Sequence, residues 1–479
     1  MSKEKEIDVE NKKDKVEFKG SFGRVYITNN GQYAEKYIDR YSTFRKNSLI
    51  ESTTTREIAL LLSIDHPNII SIIDSISANE TEYSFKCDNK GLSLQDWLND
   101  NNFTFEERIN KLPSIVYQVL QALKYLDDNE LIHGDLKPEN ILIDKDEKIT
   151  LIDFGACVVD NTIVHIIEDQ ATFNMCTYSF SSPELLSLDY KSNKVNGKHD
   201  IFSLGLVIKY ILLNSYNLED DDIIIDCEKK NKEFELPDQL KEDLKAYIDI
   251  TDLLSKMFVT DRDKRSSANE LLTHNLFKSF NYPLVSKVNE VKFNDTIINN
   301  VKTNNKRSSS LKWLYKFCTT YKCQHIFVLT VWIYDKAIQI IKETEDDNTD
   351  DEKEIIDYRL IIASSLMIVD SLIEFGSISF ELMIDQINRL YTSLIKKMVG
   401  LIFEKLNYNV YRRTFDYYLR KSNVAIDYEE IYNICLDGNN MSKSTEYLVK
   451  LYTTLTIKDG LSDLTKKIND IEIKNDIPS

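Results

Sequence analysis

The sequence predicts an α+β chain of two unlike halves: a β-containing N-terminal part that continues mainly as helices, and an all-α C-terminal part. Three observations carry this reading. Residues 16–39 alternate apolar and polar side chains between glycine turns, which is the strand period. The longer apolar segments beyond residue 112 repeat instead at the helical period. The punctuation also shifts, since six of the 7 prolines lie at or before Pro283 and eight of the 12 glycines lie in the first 205 residues.

The elements follow in order. Met1 to Lys15 mixes Lys, Glu and Asp without an apolar core, so it reads as a disordered charged tail and not a secretory signal. Val16-Glu17-Phe18, Val25-Tyr26-Ile27 and Tyr33 to Ile38 read as strands, the last two separated by a turn at Asn29-Asn30-Gly31. Glu51 to Ile64 changes to the helical period, with Ile58, Leu61 and Leu62 on one face, and Asp65-His66-Pro67-Asn68 ends it. Leu112 to Leu126 reads as a buried helix, and two short strands, Ile141 to Ile143 and Ile149 to Ile152, flank the turn Asp144 to Glu147. The chain to about residue 280 is then mostly helical.

Asn281-Tyr282-Pro283 stops that run, and a polar Asn/Lys-rich linker is expected over residues 281–306. Helical patterns follow at Leu311, Leu314 and Phe317-Cys318, at Ile326 to Ile341, at Ile355 to Phe375 and at Phe380 to Leu406. Glu343 to Glu354 carries eight carboxylates against one lysine, a density expected to form a solvated loop. Glu219 to Glu228 reads as a second acidic loop.

Charge and composition exclude several classes of function. With 60 basic and 78 acidic residues in 479, the net charge of −18 argues against a nucleic-acid partner. No apolar stretch reaches the roughly 18 residues that span a bilayer, so no membrane partner is expected. The 7 cysteines are odd in number and irregular in spacing, and the one close pair, Cys318 and Cys323, has no second pair at zinc spacing. Reduced thiols in a soluble intracellular protein are the reading; cytoplasm and nucleus are not distinguished. His165, His274 and His325 likewise show no ligand spacing.

The chemistry concentrates in His133-Gly134-Asp135-Leu136-Lys137-Pro138-Glu139-Asn140, followed by Asp153-Phe154-Gly155 and Ser182-Pro183-Glu184. Upstream lie Gly20-Ser21-Phe22-Gly23-Arg24-Val25, Lys36 and Glu57. Phosphoryl transfer from ATP needs this set and order: glycines that let backbone amides approach the phosphates, a lysine held by a glutamate, a carboxylate to take the hydroxyl proton, and oxygen ligands for Mg2+. On this reading Asp135 is the base. Asn140 and Asp153 hold magnesium, while Gly20, Ser21, Gly23, Val25, Lys36 and Glu57 form the nucleotide site.

Residues 16 to about 280 resemble the eukaryotic protein kinase fold over its whole length. The resemblance implies a bilobal domain, with an N-lobe at 16–90 built from an antiparallel sheet plus one helix and a mainly helical C-lobe at 91–280. His199-Asp200-Ile201-Phe202-Ser203-Leu204-Gly205 looks like the family's buried helix that anchors the catalytic loop, and Arg265 looks like the arginine that pairs with Glu184. Lys137 and Thr177 resemble the serine/threonine branch, which implies Ser/Thr acceptors on protein substrates. Ser181 stands where proline-directed kinases carry an arginine, so no preference for a following proline is expected.

A narrower resemblance follows. Glu51 to Ile58 looks like the helix of cyclin-dependent kinases on which a cyclin pushes, continued by Leu61-Leu62 and His66 to Ile70. Arg307 with Leu311 and Trp313-Leu314, Tyr334-Asp335-Lys336, Ala363-Ser364 and Phe403 to Tyr408 resemble successive helices of a cyclin box over residues 307–420. Residues 421–479 would be a helical extension. The expected partner is therefore this domain in cis, with other kinases or cyclins in trans as alternatives.

Departures from the pattern carry expectations too. Phe18 replaces the first glycine of the phosphate loop, which loosens the grip but leaves the two central glycines. Gly134 and Val158 replace two of the arginines that bind a phosphorylated activation loop, leaving Arg56, so phosphate at Thr172 should not be needed. Phe22 replaces the inhibitory tyrosine, with Ser21 the remaining site. Ser365 and Val399 replace a lysine and a glutamate that cyclins use to contact the kinase. Two alternatives stay open: a pseudokinase scaffold, or an active kinase whose C-terminal half recruits substrates or partners. Heavy use of Asn, Ile, Lys and Asp points to an AT-rich genome, such as that of a large DNA virus or a protist.

Overall fold

The computed structural model describes residues 16–20, 23–28, 31–39, 57–73, 76–78, 82–129, 131–159, 177–186, 196–214, 234–278, 305–320, 324–345, 358–369, 398–399, 401–402, 406 and 427–436. The charged tail, Ser21, Phe22, Arg56, Thr172, His165, Cys323, the Glu219 to Glu228 run, residues 281–304 and most of the C-terminal extension lie outside the described residues. The chain divides into two compact units, Met1–Asn289 and Glu290–Ser479.

The first unit opens with strands β1 (Val16–Gly20), β2 (Gly23–Ile27) and β3 (Tyr33–Asp39). A helix over residues 57–63, α1, precedes β4 (Ser77–Ala78) and β5 (Glu82–Asp88). These strands form one five-stranded sheet in the order β1-β2-β3-β5-β4, antiparallel at every pairing. Register matters here: Val25 pairs with Lys36 and Lys36 with Phe85, so the lysine sits mid-sheet on β3. One apolar face was expected for α1. Glu57, Ile58, Ala59, Leu60, Leu61 and Ser63 are all buried, because the helix is covered on nearly every side and its polar members are bonded rather than solvated.

After β6 (Leu92–Ser93) come α2 (Leu94–Asn101) and α3 (Phe105–Asp128). The expected buried helix at 112–126 is α3 shortened. It starts earlier because Thr104 and Glu107 form a capping box that satisfies the first orphan amides of an otherwise polar turn. Strands β7 (Leu131–Ile132) and β10 (Val158–Val159) pair with each other, while β8 (Ile141–Ile143) and β9 (Ile149–Leu151) continue a three-stranded sheet from β6. A short helix α4 (Pro183–Leu186) precedes α5 (Lys198–Leu213), which is buried at every position from His199 to Leu212. Gly205 lets α5 approach its neighbour, since a Cβ there would lie 2.8 Å from the Phe258 ring. Helices α6 (Asp238–Asp243), α7 (Ile248–Met257) and α8 (Ala268–Leu272) complete this unit among the described residues.

The second unit contains α9 (Asn305–Thr320), α10 (Phe327–Glu345), α11 (Tyr358–Val369) and α12 (Tyr428–Leu436) among its described residues. Helix α9 packs against the other three. It starts at Asn305, inside the stretch read as linker. Helix α10 runs to Glu345, so the start of the acidic run is helical, which corrects the loop expected from Glu343. The apolar anchor of the preceding turns carries the helix on. Among the described residues no helix is long and apolar enough to cross a membrane.

Candidate active site

Lys36 on β3 and Glu57 on α1 meet as the sequence predicts: Lys36 Nζ lies 2.6 Å from Glu57 Oε1 and 2.8 Å from Oε2. The same ammonium is 3.4 Å from Asp153 Oδ1. Burial by itself would lower the lysine, but the carboxylates of Asp153 and Glu57 outweigh it and hold Lys36 above its ordinary range. Burial would likewise raise Asp153, yet Lys36, His133 and Lys137 keep its carboxyl below the usual aspartate range. Burial pushes Glu57 upward, with Lys36 pulling against it. The result is a charged lysine between two carboxylates, one of them, Asp153, still partly open to solvent.

The loop between β7 and β8 carries the second group. Asp135 is buried, and its Oδ2 accepts hydrogen bonds from Lys137 Nζ at 2.7 Å and Asn140 Nδ2 at 3.0 Å. Its Oδ1 accepts the Thr177 amide at 2.8 Å, and Lys137 Nζ also donates to Thr177 Oγ1 at 2.7 Å. Asp135, Lys137, Asn140 and Thr177, separated by up to 42 residues, thus share one hydrogen-bonded cluster. Asn140 Nδ2 bonds the Asp135 carbonyl as well, at 2.8 Å, which commits the amide nitrogen to this loop.

The loop is held from behind. Asp200 on α5 accepts the backbone amides of His133 at 2.7 Å and Gly134 at 3.0 Å. His133 Nε2 donates to the Ile152 carbonyl at 3.0 Å, which leaves Nδ1 to accept the Asp135 amide at 3.3 Å. Its ring meets Phe154 edge-on at 5.0 Å. Gly134 has φ +80°, and a Cβ there would come within 2.5 Å of the Ala156 carbonyl oxygen, so both backbone and space favour glycine at this point. Asp153 itself is left-handed, with φ 63° and ψ 74°.

Arg265 anchors the segment beyond Thr177. Its guanidinium forks onto Glu184 at 2.8 and 2.9 Å, donates to the carbonyls of Val259 and Lys198, and stacks 5.0 Å from the Phe202 ring. Burial would raise Glu184, but Arg265 holds its carboxyl below the ordinary range.

Of the residues read as the nucleotide site, Gly20 and Gly23 close the β1–β2 hairpin as a register pair and Val25 follows on β2. Ser21 lies outside the described residues. Sequence reasoning passed over three contacts. Asn68 ties the loop after α1 to Ile149 and Gln118, Ser181 Oγ donates to the Thr177 carbonyl at 3.1 Å, and Ser182 Oγ lies 2.7 Å from His199 Nδ1.

A lysine fixed by a glutamate on a five-stranded sheet, with an aspartate, lysine and asparagine clustered on one buried loop, defines a phosphotransferase of the kind that uses a nucleotide donor. Residues 18–277, more than half of the chain, match the protein kinase domain, and the chain belongs to that family. It is 29% identical over 236 residues to sperm motility kinase 3A of Mus musculus, covering 48% of this chain and 43% of that one. To CBL-interacting serine/threonine-protein kinase 5 of Arabidopsis thaliana it is 27% identical over 280 residues, 57% of this chain and 59% of that one. To an Aurora kinase of Candida glabrata it is 26% identical over 262 residues, 53% and 67% of the two chains. The chain therefore spans less than half the length of the mouse relative.

Protein kinase domains use ATP and Mg2+ generally. The residues present fit both: Asp153 and Asn140 offer oxygen donors, which suit a hard cation, and Lys36 is a held ammonium for phosphate oxygens.

Proposed function

We propose that this chain phosphorylates serine and threonine hydroxyls of protein substrates at the expense of ATP. The observation that carries the reading is the Asp135 cluster: a buried carboxylate whose oxygens are oriented by Lys137, Asn140 and the Thr177 amide. In this mechanism Asp135 takes the proton of the attacking hydroxyl. Lys137, within reach of both Asp135 and Thr177, offsets the negative charge that builds on the attacking oxygen and the transferring phosphoryl group. Lys36, kept in place by Glu57, binds phosphate oxygens of the donor, and the backbone of Gly20, Ser21 and Gly23, with Val25, packs over the nucleotide. Asn140 and Asp153 would hold magnesium, which when bound spreads the charge of the phosphates. Lys137 and Thr177 favour Ser/Thr over tyrosine acceptors.

The finer reading is activation in cis. The cyclin-like character of residues 307–420 is supported by Arg307 and Asp335, both singled out in the sequence, which form a buried bidentate ion pair with two contacts of 2.7 Å. At the positions where cyclins carry a lysine and a glutamate, Ser365 Oγ donates to its own helix at Ile361, and Val399 packs on Leu360 and Ala363. Contact with a kinase through these two positions would therefore use different chemistry. Tethering by residues 281–306 would hold such a domain at roughly millimolar effective concentration, and it would keep Glu57 on Lys36. Phosphate at Thr172 is not required in this scheme, and Thr172→Ala retains activity.

The test is magnesium-dependent transfer of phosphate from ATP to a generic Ser/Thr substrate by the full chain, by a truncation ending at residue 300, and by Asp135→Asn. Activity in the full chain alone supports the kinase with cis activation. Activity kept on truncation makes the C-terminal half a recruitment module, and no activity in any form makes the chain a scaffold.

A further inference from the structure

The start of α5 carries a histidine for which phosphoryl transfer has no direct use. Ser182 and His199 are 0% and 1% exposed, and Ser182 Oγ lies 2.7 Å from His199 Nδ1. The Gly134 backbone lies within hydrogen-bonding reach of the same imidazole. With its proton on Nε2 the ring accepts the Ser182 hydroxyl at Nδ1. Burial holds it neutral, below the ordinary histidine range.

The Ser182–His199 bond closes a circuit. Asp200, next to His199, holds the amides of His133 and Gly134. Asp135 follows and accepts the Thr177 amide, the Thr177 carbonyl accepts the Ser181 hydroxyl, and Ser182, the next residue, returns to His199. From Ile201 to Leu212 every position of α5 is buried, so a polar ring at its start needs a hydrogen-bond partner, which Ser182 supplies. Glu184, two residues past Ser182, is fixed independently by Arg265.

We propose that Ser182 and His199 are a positioning pair that locks the Thr177 segment onto the catalytic loop, and so sets how Asp135 and Lys137 meet the acceptor hydroxyl. This rests on the kinase reading above. The pair's side chains bond each other, and Ser182 follows the Ser181 that bonds Thr177, the residue whose amide Asp135 accepts, whereas Lys36, Glu57 and Asp153 bond among themselves. The pair thus acts on the acceptor side of the reaction and not on nucleotide binding. Small displacements of reacting groups cost on the order of 100-fold in rate, and losses of about 10- to 100-fold are expected here.

The experiment uses the full chain as wild type, Ser182→Ala, His199→Leu, the double variant, and His199→Asn, which keeps an acceptor near Nδ1. Three readouts are taken: affinity for a fluorescent ATP analogue with Mg2+, kcat/KM for a Ser/Thr peptide, and hydrogen exchange at the Thr177 amide. The expected result is unchanged nucleotide affinity, peptide kcat/KM reduced in both single variants, no further loss in the double, partial recovery in His199→Asn, and faster exchange at Thr177. Parallel loss of nucleotide affinity and transfer would mark a plain folding effect and overturn the proposal. So would multiplicative losses in the double variant, or unchanged protection of Thr177. If the wild type binds nucleotide but transfers no phosphate, the kinase reading fails, and the exchange at Thr177 still decides whether the pair holds that segment.

Discussion

Each unit of this chain buries ion pairs, and the Arg307–Asp335 pair of the second is finished differently from the Lys36 group of the first. In the second unit Arg307 and Asp335 are both 2% exposed, and Arg307 also donates to the carbonyls of Cys435 and Leu436 at 3.0 Å, closing the end of α12. In the first unit Lys36 is 19% and Asp153 28% exposed, against 5% for Glu57. The Arg307 pair has its donors spent on protein and holds helices together. The Lys36 group is left open on the Asp153 side, where a third charged species can enter. A closed pair contributes to structure, and an open one is available for binding.

That contrast can be broken at either end. The largest effect is expected from Lys36→Ala, with activity falling about 100-fold or more because the charge it removes serves the transferring phosphates, and with some loss of stability from the buried Glu57 left without its partner. Transfer assays alongside urea unfolding check both halves of the statement. Arg307→Ala should do the reverse and destabilise the second unit by about 3–5 kcal/mol, since Asp335 is left buried and unpaired. Replacing both partners with apolar residues, Arg307→Met with Asp335→Leu, should recover most of that loss. Tryptophan fluorescence from Trp313 and Trp332 follows this transition. If the double variant is as unstable as the single, the pair does more than neutralise itself.

A buried group with no ionic partner among the described residues sharpens the comparison. His66 sits 5.1 Å from the Tyr125 ring, accepts the Asn68 amide at Nδ1, and is pulled by burial down to about 4. The folded chain keeps it neutral while the unfolded chain takes up a proton below its ordinary value of 6.5. Stability is therefore full above that pH and declines as the pH falls toward about 4, by up to about 3 kcal/mol. Unfolding midpoints at pH 7 and 4.5 read this directly, and His66→Asn should flatten the difference. The smallest effect is at the surface: Thr104→Ala removes the capping box of α3 and should cost about 1 kcal/mol in the same assay.

The candidate site was unusually legible in the sequence, for a physical reason. Asp135, Lys137 and Asn140 lie within six residues on one loop, so their spacing alone places them together. Lys36 and Glu57 were legible because strand and helix periods put each on a separate element in the required order. Helix boundaries were less so. The start of α3 depends on a cap that is polar by nature, and the end of α10 on how far an apolar anchor carries a charged turn. Ser182 and His199 could not be paired from the sequence, because they lie 17 residues apart on either side of α4 and no periodicity links them.

The sequence by itself determined the family and which residues make up the candidate site, because these rest on local spacing and on residue chemistry that few other sites require. The tertiary structure decided which carboxylates are open and which are closed, that His66, His133 and His199 are bonded in the interior, and that Asp200 clamps the catalytic loop. Those facts depend on burial and on contacts between distant segments. Desolvation and hydrogen bonding set them only once the chain has folded.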